Sequence, residues 1–361
     1  MEKEIGFESI EDYQNYLKQR QEVMAYCKKI SQGIENLDEK SGERAIWELV
    51  QNARDMDENS HIRIELKPDK IVFSHRGKPF DYTSLLALVN QNSSKDNPGA
   101  DLVGQYGTGF MTTHAFCDIV KVSAPYKVMS GPGKLIGYVY MQDLELNRSY
   151  RNDLEKAIEE MRSEMKLVDN MHKTTPLYPT YDSLTEEQKW TSFTYRLESS
   201  NVDSISRQLA SAIRLMPFVL VINGRIKEIE VKNLYAKCHF RIIKKDSASK
   251  QRMEGNTEWY KIVDEVEITN MLTGKSMSVA VTSLQLFNEN GKVNDVVILP
   301  PFPECCGSVD TIPSLFLWFP LLGTESFGVN FIFHSKRWYP VEKRNNIMLP
   351  ENVPSKCEKG A

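Results

Sequence analysis

The chain has 361 residues, of which 41% are hydrophobic and 26% charged, and its formal net charge is −4 at pH 7. These values are typical of a globular protein with room for two domains, and they provide no overall basic field for nucleic acid. The six cysteines contain no Cys-x-x-Cys pair and the six histidines are scattered, which excludes the common zinc-site spacings and favours free thiols in a reducing compartment.

The first two predicted elements are helices. In residues 8–36, apolar side chains recur at helical spacing, beginning with Ile10 and Tyr13. We expect this helix to pack on the rest of the protein, or to lie as a strap across a partner subunit. A second helix is predicted over 41–55, with Ser41 as its N-cap.

The second helix carries the most informative residues of the chain. Glu48, Asn52 and Asp55 stand at positions i, i+4 and i+7, so an acid, an amide and a second acid share one face. Such side chains are poor core material, but they suit a divalent metal, a water molecule and a nucleotide. The same pattern also fits a solvated helix face, and a second motif is needed to choose between the two.

Two strands, a helix and a polar segment follow. The strands are predicted over 62–66 and 70–73, and the helix over 81–89. Residues 90–101 are polar and rich in helix breakers. This composition indicates a plain surface loop; the family resemblance given below implies instead a mobile lid in which Lys95 reaches a phosphate.

A glycine-rich turn supplies the second motif. Gly104, Gly107 and Gly109 are spaced by three and two residues within the segment 103–110, and an apolar, helix-like stretch over 111–116 follows. Glycine lets the backbone approach a ligand closely. A turn that opens a helix also presents free N–H groups and a positive dipole end, which together seat a phosphate. The spacing matches neither the P-loop nor the dinucleotide fingerprint.

Taken in this order, the two motifs resemble the nucleotide-binding fold shared by DNA gyrase B, the ninety-kilodalton heat-shock chaperones, histidine kinases and the MutL mismatch-repair proteins. This is the GHKL superfamily, whose fold is called the Bergerat fold. The helix resembles its Glu-x-x-x-Asn-x-x-Asp motif, and the glycine segment, continuing through 117–122, is closest to the heat-shock chaperone form.

The resemblance implies an ATP site. Asn52 would be the Mg²⁺ ligand and Glu48 the general base that orients the attacking water. The phosphates would bind the backbone of the glycine segment, which consists of Gly104, Gln105, Tyr106, Gly107, Thr108, Gly109 and Phe110.

Between the two motifs, the segment 71–80 departs from the family pattern. It stands where the superfamily has Asp-x-Gly-x-Gly. Gly77 matches the first glycine, whereas His75 replaces the aspartate and Pro79 replaces the second glycine. The family's aspartate accepts the adenine amino hydrogen. A neutral His75 can accept one hydrogen bond but lacks a fixed negative charge, or it is a structural turn residue. The base preference therefore stays open, and Asp55 is a further candidate for a contact with the base, directly or through water.

Later in the chain the resemblance is looser. Strand-like alternation begins at Thr191, similar to the family's late strand whose threonine supports the adenine site, although threonine is also a common strand residue. The segments 319–325 and 339–349 resemble the second domain of chaperone-type and sacsin-like members, in which a basic residue reaches the terminal phosphate. Arg344 is the candidate for this role, because its planar fork makes bidentate charged bonds with phosphate. The rival candidates are the basic residues Lys336, Arg337 and Lys343.

The other predicted elements are two helices and several strands. The helices are predicted over 152–167 and 204–215. The strands are predicted over 121–123, 137–141, 226–231, 240–243, 260–268, 276–282 and 296–299, with a hairpin turn at 130–133.

The resemblance implies an α+β protein of two domains. Residues 1–222 would form the GHKL-type nucleotide-binding domain, a two-layer α/β sandwich with a mixed, mostly antiparallel sheet. Residues 223–361 would form a smaller, transducer-like α/β domain of ribosomal-protein-S5-like type. Because superfamily members usually carry further domains beyond this point, we expect the chain to be the N-terminal part of a longer protein.

The expected function is ATP binding and slow Mg²⁺-dependent hydrolysis that acts as a conformational switch. Arg344 would stabilise charge in the transition state, which couples hydrolysis to domain closure and lid ordering. The alternative is a non-hydrolysing nucleotide-sensing module that gates dimerisation or a downstream domain. A histidine kinase is disfavoured because residues 1–47 contain no histidine.

The expected partners are the nucleotide, a second copy of the chain in a nucleotide-dependent homodimer, downstream domains, and a client protein or DNA that the sequence does not identify. We expect a cytoplasmic protein with no membrane contact. Residues 1–4 do not begin a signal peptide, and the longest apolar run, 315–322, is interrupted by Pro320 and too short to span a bilayer.

Overall fold

The computed structural model describes residues 7, 9–38, 40–91, 109–245, 247, 249–254, 258–287, 291, 293–307, 311–339, 341 and 346–348. Its α-helices are α1 (Ile10–Glu35), α2 (Ser41–Met56), α3 (Tyr82–Val89), α4 (Gly109–Thr112), α5 (Leu154–Thr174) and α6 (Val202–Ile222). Its strands are β1 (Ser60–Leu66), β2 (Lys70–Arg76), β3 (Ile119–Gly131), β4 (Lys134–Asn147), β5 (Trp190–Arg196), β6 (Ile226–Asn233), β7 (Cys238–Lys244), β8 (Ser249–Arg252), β9 (Trp259–Asn270), β10 (Lys275–Phe287), β11 (Val293–Ile298), β12 (Leu315–Leu317), β13 (Phe319–Pro320) and β14 (Ile332–Ser335).

The described strands belong to one mixed sheet. Their order is β13-β12-β14-β11-β10-β9-β7-β6-β1-β2-β5-β3-β4, and β8 pairs with β9. The β1–β6 and β12–β14 pairs are parallel, and the other described pairs are antiparallel. The α+β class with a mixed sheet is therefore confirmed.

The sheet passes without interruption across the predicted division at 222/223. α6 ends at Ile222, and β6 begins at Ile226 as a direct neighbour of β1. The two strands run in parallel from the Ser60–Ile226 pair to the Leu66–Asn233 pair. The division into two domains stays a prediction, and the described halves share a hydrogen-bonded ladder.

α2 owes its position to an apolar stripe. Ile46, Leu49, Val50 and Ala53 are each no more than 1% exposed, and the helix contacts α4, α6 and β1. Burial of four such side chains anchors the helix, at roughly 25 cal/mol for each Å² of apolar area removed from water. The opposite face of α2 carries its polar residues.

α6 is the most apolar helix of the core. It is the one described helix long and apolar enough to cross a membrane, but 67% of its apolar window is buried inside the protein. It contacts α2 and the strands β6, β7, β9, β10 and β13. Its burial is that of a core helix.

Three sequence predictions about helix ends were wrong. Ser41 is the first residue of α2 and not its N-cap, which is Lys40; the Ser41 hydroxyl instead accepts a hydrogen bond from the backbone N–H of Asp38 at 2.8 Å. α5 continues past 167, because Val168 and Met171 bury further apolar area. α6 continues past 215 through Pro217, since burial of its last turns outweighs the hydrogen bond that proline removes.

Candidate functional site

The polar face of α2 forms one wall of the candidate site. Glu48 and Asn52 lie one turn apart and are half-buried, although α2 packs tightly on its other side. Among the described residues, the Asn52 amide makes no hydrogen bond. Glu48 and Asn52 therefore lie on the half-buried side of a helix whose other side is anchored in the core.

The Glu48 carboxylate faces the start of α4. A Cβ atom built on Gly109 would overlap Oε2 of Glu48. The carboxylate therefore lies against the bare Cα of this glycine, at a distance that no other residue type allows there. The two motifs singled out in the sequence, about sixty positions apart, meet at this contact.

The C-terminal end of α2 meets the predicted base-binding segment. The backbone N–H of Lys78 donates to the Met56 carbonyl at 3.2 Å, and a Cβ on Gly77 would stand 3.1 Å from Cβ of Met56. The segment after β2 is thus fixed to the last turn of the motif helix. Gly77 permits the close approach.

His75 and Thr191 are cross-strand neighbours. The antiparallel register of β2 and β5 pairs them directly, and each is 2% exposed. The His75 ring stacks on Phe193 with centroids 6.3 Å apart. In turn, the Phe110 ring lies 5.5 Å from that of Phe193. Four predicted site residues, Gly77, His75, Thr191 and Phe110, are therefore grouped near one end of α2 and the face of β5.

His75 is neutral at physiological pH. Burial lowers its pKa to about 4, against a small opposing effect of a backbone hydrogen bond at Arg76. The ring Nδ1 lies 3.3 Å from the Arg76 carbonyl oxygen, which can only accept a hydrogen bond. Nδ1 therefore carries the proton, and Nε2 is the unprotonated, accepting nitrogen.

Asp55 is committed to an ion pair inside the protein. Its side chain is 1% exposed, and Oδ1 accepts from the Arg54 guanidinium at 3.0 Å. Arg54 also donates from Nε to Oδ1 of Asn223 at 2.9 Å. Asp55 is thereby ion-paired and tied to the loop between α6 and β6.

Seven of the residues predicted for the site lie outside the described residues. They are Lys95, Gly104, Gln105, Tyr106, Gly107, Thr108 and Arg344. The rival Lys343 lies outside them as well.

The two remaining rivals of Arg344 have different surroundings. The Arg337 guanidinium donates to Oδ2 of Asp295 at 2.9 Å. The Lys336 ammonium lies 4.8 Å from the ring centroid of Trp318, on which Arg54 also stacks. Lys336 is therefore the one of these two that lies beside the motif helix.

Trp318 and its surroundings were not predicted from the sequence. This residue has a left-handed backbone, with φ at 65°, and its carbonyl accepts from Nδ2 of Asn223 at 2.7 Å. Arg54 in the last turn of α2 is an ordinary place for a basic residue and gave no local signal of this contact. Nothing in the sequence indicated that its partner stands more than 260 positions later.

The residues present fit a magnesium ion bound mainly through a nucleotide. No group of three or more His, Cys, Asp or Glu able to hold a metal occurs among the described residues. Mg²⁺ usually keeps several waters and takes one or two protein oxygens together with phosphate oxygens. The Asn52 amide oxygen would be one such protein ligand. The described residues around it do not form a site that binds Mg²⁺ through protein ligands alone.

A scan against protein-family models gives no match for this chain, and a search of curated proteins finds no similar sequence.

Proposed function

We propose that this chain is a GHKL-type ATPase that binds ATP along the polar face of α2 and hydrolyses it slowly with Mg²⁺ as a conformational switch. The observation that carries the proposal is the contact between the Glu48 carboxylate and Gly109. It joins the acid–amide–acid helix to the glycine segment, the two elements that the resemblance assigns to the water and to the phosphates.

The catalytic role in this proposal belongs to Glu48. A half-buried carboxylate beside a glycine backbone can accept a proton from a water molecule and orient it for attack on a terminal phosphate. The glycine leaves room for the carboxylate and is itself the first residue of α4. Glu48 thus stands where a phosphate-binding segment would deliver the reacting group.

Asn52 would hold Mg²⁺ through its amide oxygen. When bound, this ion neutralises phosphate charge and orients the phosphate chain. Asn52 itself lies one helical turn from Glu48 on a rigid, buried helix. The helix therefore fixes the distance between the Mg²⁺ ligand Asn52 and the general base Glu48.

The nucleotide base, adenine in ATP, would be recognised beside His75 and Thr191. The accepting Nε2 of a neutral imidazole suits an exocyclic amino hydrogen such as that of adenine. It supplies one hydrogen bond without the charge of a carboxylate, so we expect weaker base selection than an aspartate gives. Asp55 is ion-paired with Arg54, and its role would be to support this end of the site.

The finer architecture belongs to the same proposal. Residues 1–222 would form the Bergerat-fold domain and 223–361 a ribosomal-protein-S5-like second domain. Arg344, or Lys336 beside the motif helix, would contact the terminal phosphate. A nucleotide-dependent homodimer, downstream domains and a cytoplasmic location complete the proposal.

The test uses nucleotide titrations and phosphate release on the wild type and three variants. Glu48→Ala should retain ATP binding and lose phosphate release by about 10²–10⁴-fold. Asn52→Ala should lose the Mg²⁺-dependent part of ATP binding. Glu58→Ala, an exposed acid just beyond α2, is the matched control and should behave as wild type.

Two results would count against the proposal. Bound ATP at about a hundredfold excess over its dissociation constant stabilises a protein by about 2.7 kcal/mol; no thermal shift with ATP, ADP or GTP would overturn nucleotide binding. A shift in the wild type without phosphate release would reject hydrolysis and support the sensing module. The observation that favours the non-hydrolysing sensing module as a second function is the neutral His75 in place of a carboxylate.

A further inference from the structure

Two neighbouring thiols stand apart from the candidate ATP site. Cys305 and Cys306 end a short 3-10 helix, Glu304–Cys306, and their sulfur atoms are 3.9 Å apart. The segment is anchored from both sides. Phe302 packs on Phe218 of α6 with centroids 5.3 Å apart, and Gly307 closes the helix with φ at 89°.

The two thiols differ in access. Cys306 is 1% exposed, whereas Cys305 is half-buried and reaches the surface. A small reagent therefore meets the sulfur of Cys305 first. Cys306 is placed behind it, within reach of that sulfur and protected from direct attack.

The surroundings favour a thiolate on Cys305. The hydrogen bond from the Cys306 thiol lowers the pKa of Cys305. The Arg214 guanidinium lies beside the next residue, since a Cβ on Gly307 would stand 3.2 Å from its Nη1, and its charge acts on the Cys306 thiol. By contrast, burial raises the pKa of Cys27 to about 11, and burial also raises the pKa of Cys238.

We infer that Cys305 and Cys306 form a peroxide-reactive dithiol in which Cys305 is the attacking thiolate and Cys306 resolves it. The oxidant is a hydroperoxide, with hydrogen peroxide as the simplest member. The Cys305 sulfur attacks one peroxide oxygen, the O–O bond breaks, and the other oxygen leaves as hydroxide and takes up a proton to become water. Cys305 is then a sulfenic acid.

The second step forms a disulfide between neighbouring residues. The Cys306 sulfur attacks the sulfenic sulfur, the S–O bond breaks, and the oxygen leaves as water with the proton of the Cys306 thiol. In total, two thiols and one peroxide give one disulfide and two waters. The sulfurs must approach from 3.9 Å to ~2 Å. A ring closed by adjacent residues is strained, and strained disulfides are readily reduced by dithiols.

Oxidation of the two thiols can be followed by mass spectrometry on a single tryptic fragment. The tryptic fragment between Lys292 and Lys336 contains Cys305 and Cys306 and no other cysteine. Brief treatment of the full chain with hydrogen peroxide should remove two hydrogen atoms from this fragment's mass, and dithiothreitol should restore them. Labelling of Cys305 by a thiol reagent at neutral pH should be about tenfold faster than that of Cys238.

Single-cysteine variants separate the two roles. Cys306→Ser should yield a dimedone adduct on Cys305 and no loss of hydrogen, and Cys305→Ser should yield neither. Cys306→Ala, closer in polarity to a buried thiol, repeats the first test if the serine variant does not fold, and Cys27→Ser is the control. The inference fails if Cys305→Ser still becomes oxidised in this fragment, if Cys305 pairs with Cys357 instead, or if Cys238 reacts as fast as Cys305.

Discussion

The guanidinium of Arg54 lies 4.2 Å from the ring centroid of Trp318. The contact joins the last turn of α2 to the segment between β12 and β13. Asn223 connects the same two residues, since it accepts from Arg54 and donates to the Trp318 carbonyl. A bulky residue with positive φ is costly, and this network compensates for the strain at Trp318.

Replacement of Arg54 by methionine should strongly destabilise the protein. Its side chain is 3% exposed and that of Asp55 1%, so the variant leaves a buried carboxylate without this partner. Losing one member of a buried ion pair costs about 3–5 kcal/mol. Urea unfolding measures the loss. Arg207→Met, which removes an exposed pair with Asp203, should change stability by less than about 1 kcal/mol; equal losses in both variants would contradict the assigned network.

A methyl group at Gly109 should disturb the site more than the fold. In Gly109→Ala, the new Cβ would overlap the Glu48 carboxylate and displace it. We expect ATP hydrolysis to fall by at least about tenfold, because misplacement of a base by 1 Å can cost 10²-fold. Phosphate release measures this effect. Gly131→Ala, where a Cβ meets open space, should retain the wild-type rate, and an unaffected rate in Gly109→Ala would separate Glu48 from the reaction.

Thr191→Val should weaken nucleotide binding with little effect on the fold. Valine keeps the shape of this buried strand residue and removes the hydroxyl that stands beside His75. A lost hydrogen bond of about 1 kcal/mol corresponds to roughly a fivefold weaker affinity. Calorimetric titration with ATP gives the number. Thr194→Val, on the opposite face of the same strand, should bind as wild type, and equal affinities in all three proteins would remove Thr191 from the site.

Three buried histidines should make the protein sensitive to mild acid. Burial lowers the pKa of His75 and His114 to about 4 and that of His334 to about 3, from 6.5. The unfolded chain therefore binds more protons between these values. The stability contributed by the neutral rings is fully present above pH 6.5 and is lost as the pH falls from 6.5 towards 4. In this range the free energy of unfolding decreases by about 1.4 kcal/mol per pH unit for each histidine.

Unfolding by urea at several pH values between 7 and 5 measures this slope. Burial raises the pKa of two acids, half-buried Glu43 and buried Glu164, which act in the opposite sense near their own titration range, so the comparison is made with a variant. His114→Gln should have a shallower profile than the wild type, because one titrating group is gone. Parallel profiles would show that His114 does not contribute.

Lys336 and Arg337 should respond differently to substitution. Lys336→Ala removes the cation that lies on Trp318 beside the motif helix and should slow ATP hydrolysis. Arg337→Ala removes a guanidinium that pairs with Asp295 and should leave the rate unchanged. Single-turnover assays, with Arg344→Ala in parallel, decide which cation contributes. A slower rate in Arg337→Ala alone would reverse the assignment.

Local sequence patterns were sufficient to predict many of the helices and strands. Helical spacing located α1 and α2 to within a few residues, and the alternation of β1, β2, β6, β7, β9 and β10 gave strands in the correct places, because each pattern reflects one buried face. The short strands β12 to β14 and the edge strand β8 were missed. β8 is fully exposed and has no apolar face to detect.

The site was only partly accessible from sequence. The pairing of Glu48 with the glycine segment followed from the order and spacing of two motifs. The position of Thr191 opposite His75 depends on the β2–β5 register, which is set by long-range pairing and not by either strand alone. The Arg54–Trp318 contact depends on tertiary packing between distant segments, for which no local periodicity exists.

The parallel pairing of β1 with β6 limits how the two halves of the sheet can move. A hinge at 222/223 would have to shear a ladder that runs from Ser60 to Leu66. Twist, in contrast, can be redistributed along hydrogen-bonded strands without breaking any of them. α2 packs on β1, so a nucleotide bound on α2 would change the twist of the sheet beyond β6 by a small amount. A hydrogen-exchange experiment should find the β1–β6 amides protected with and without ligand.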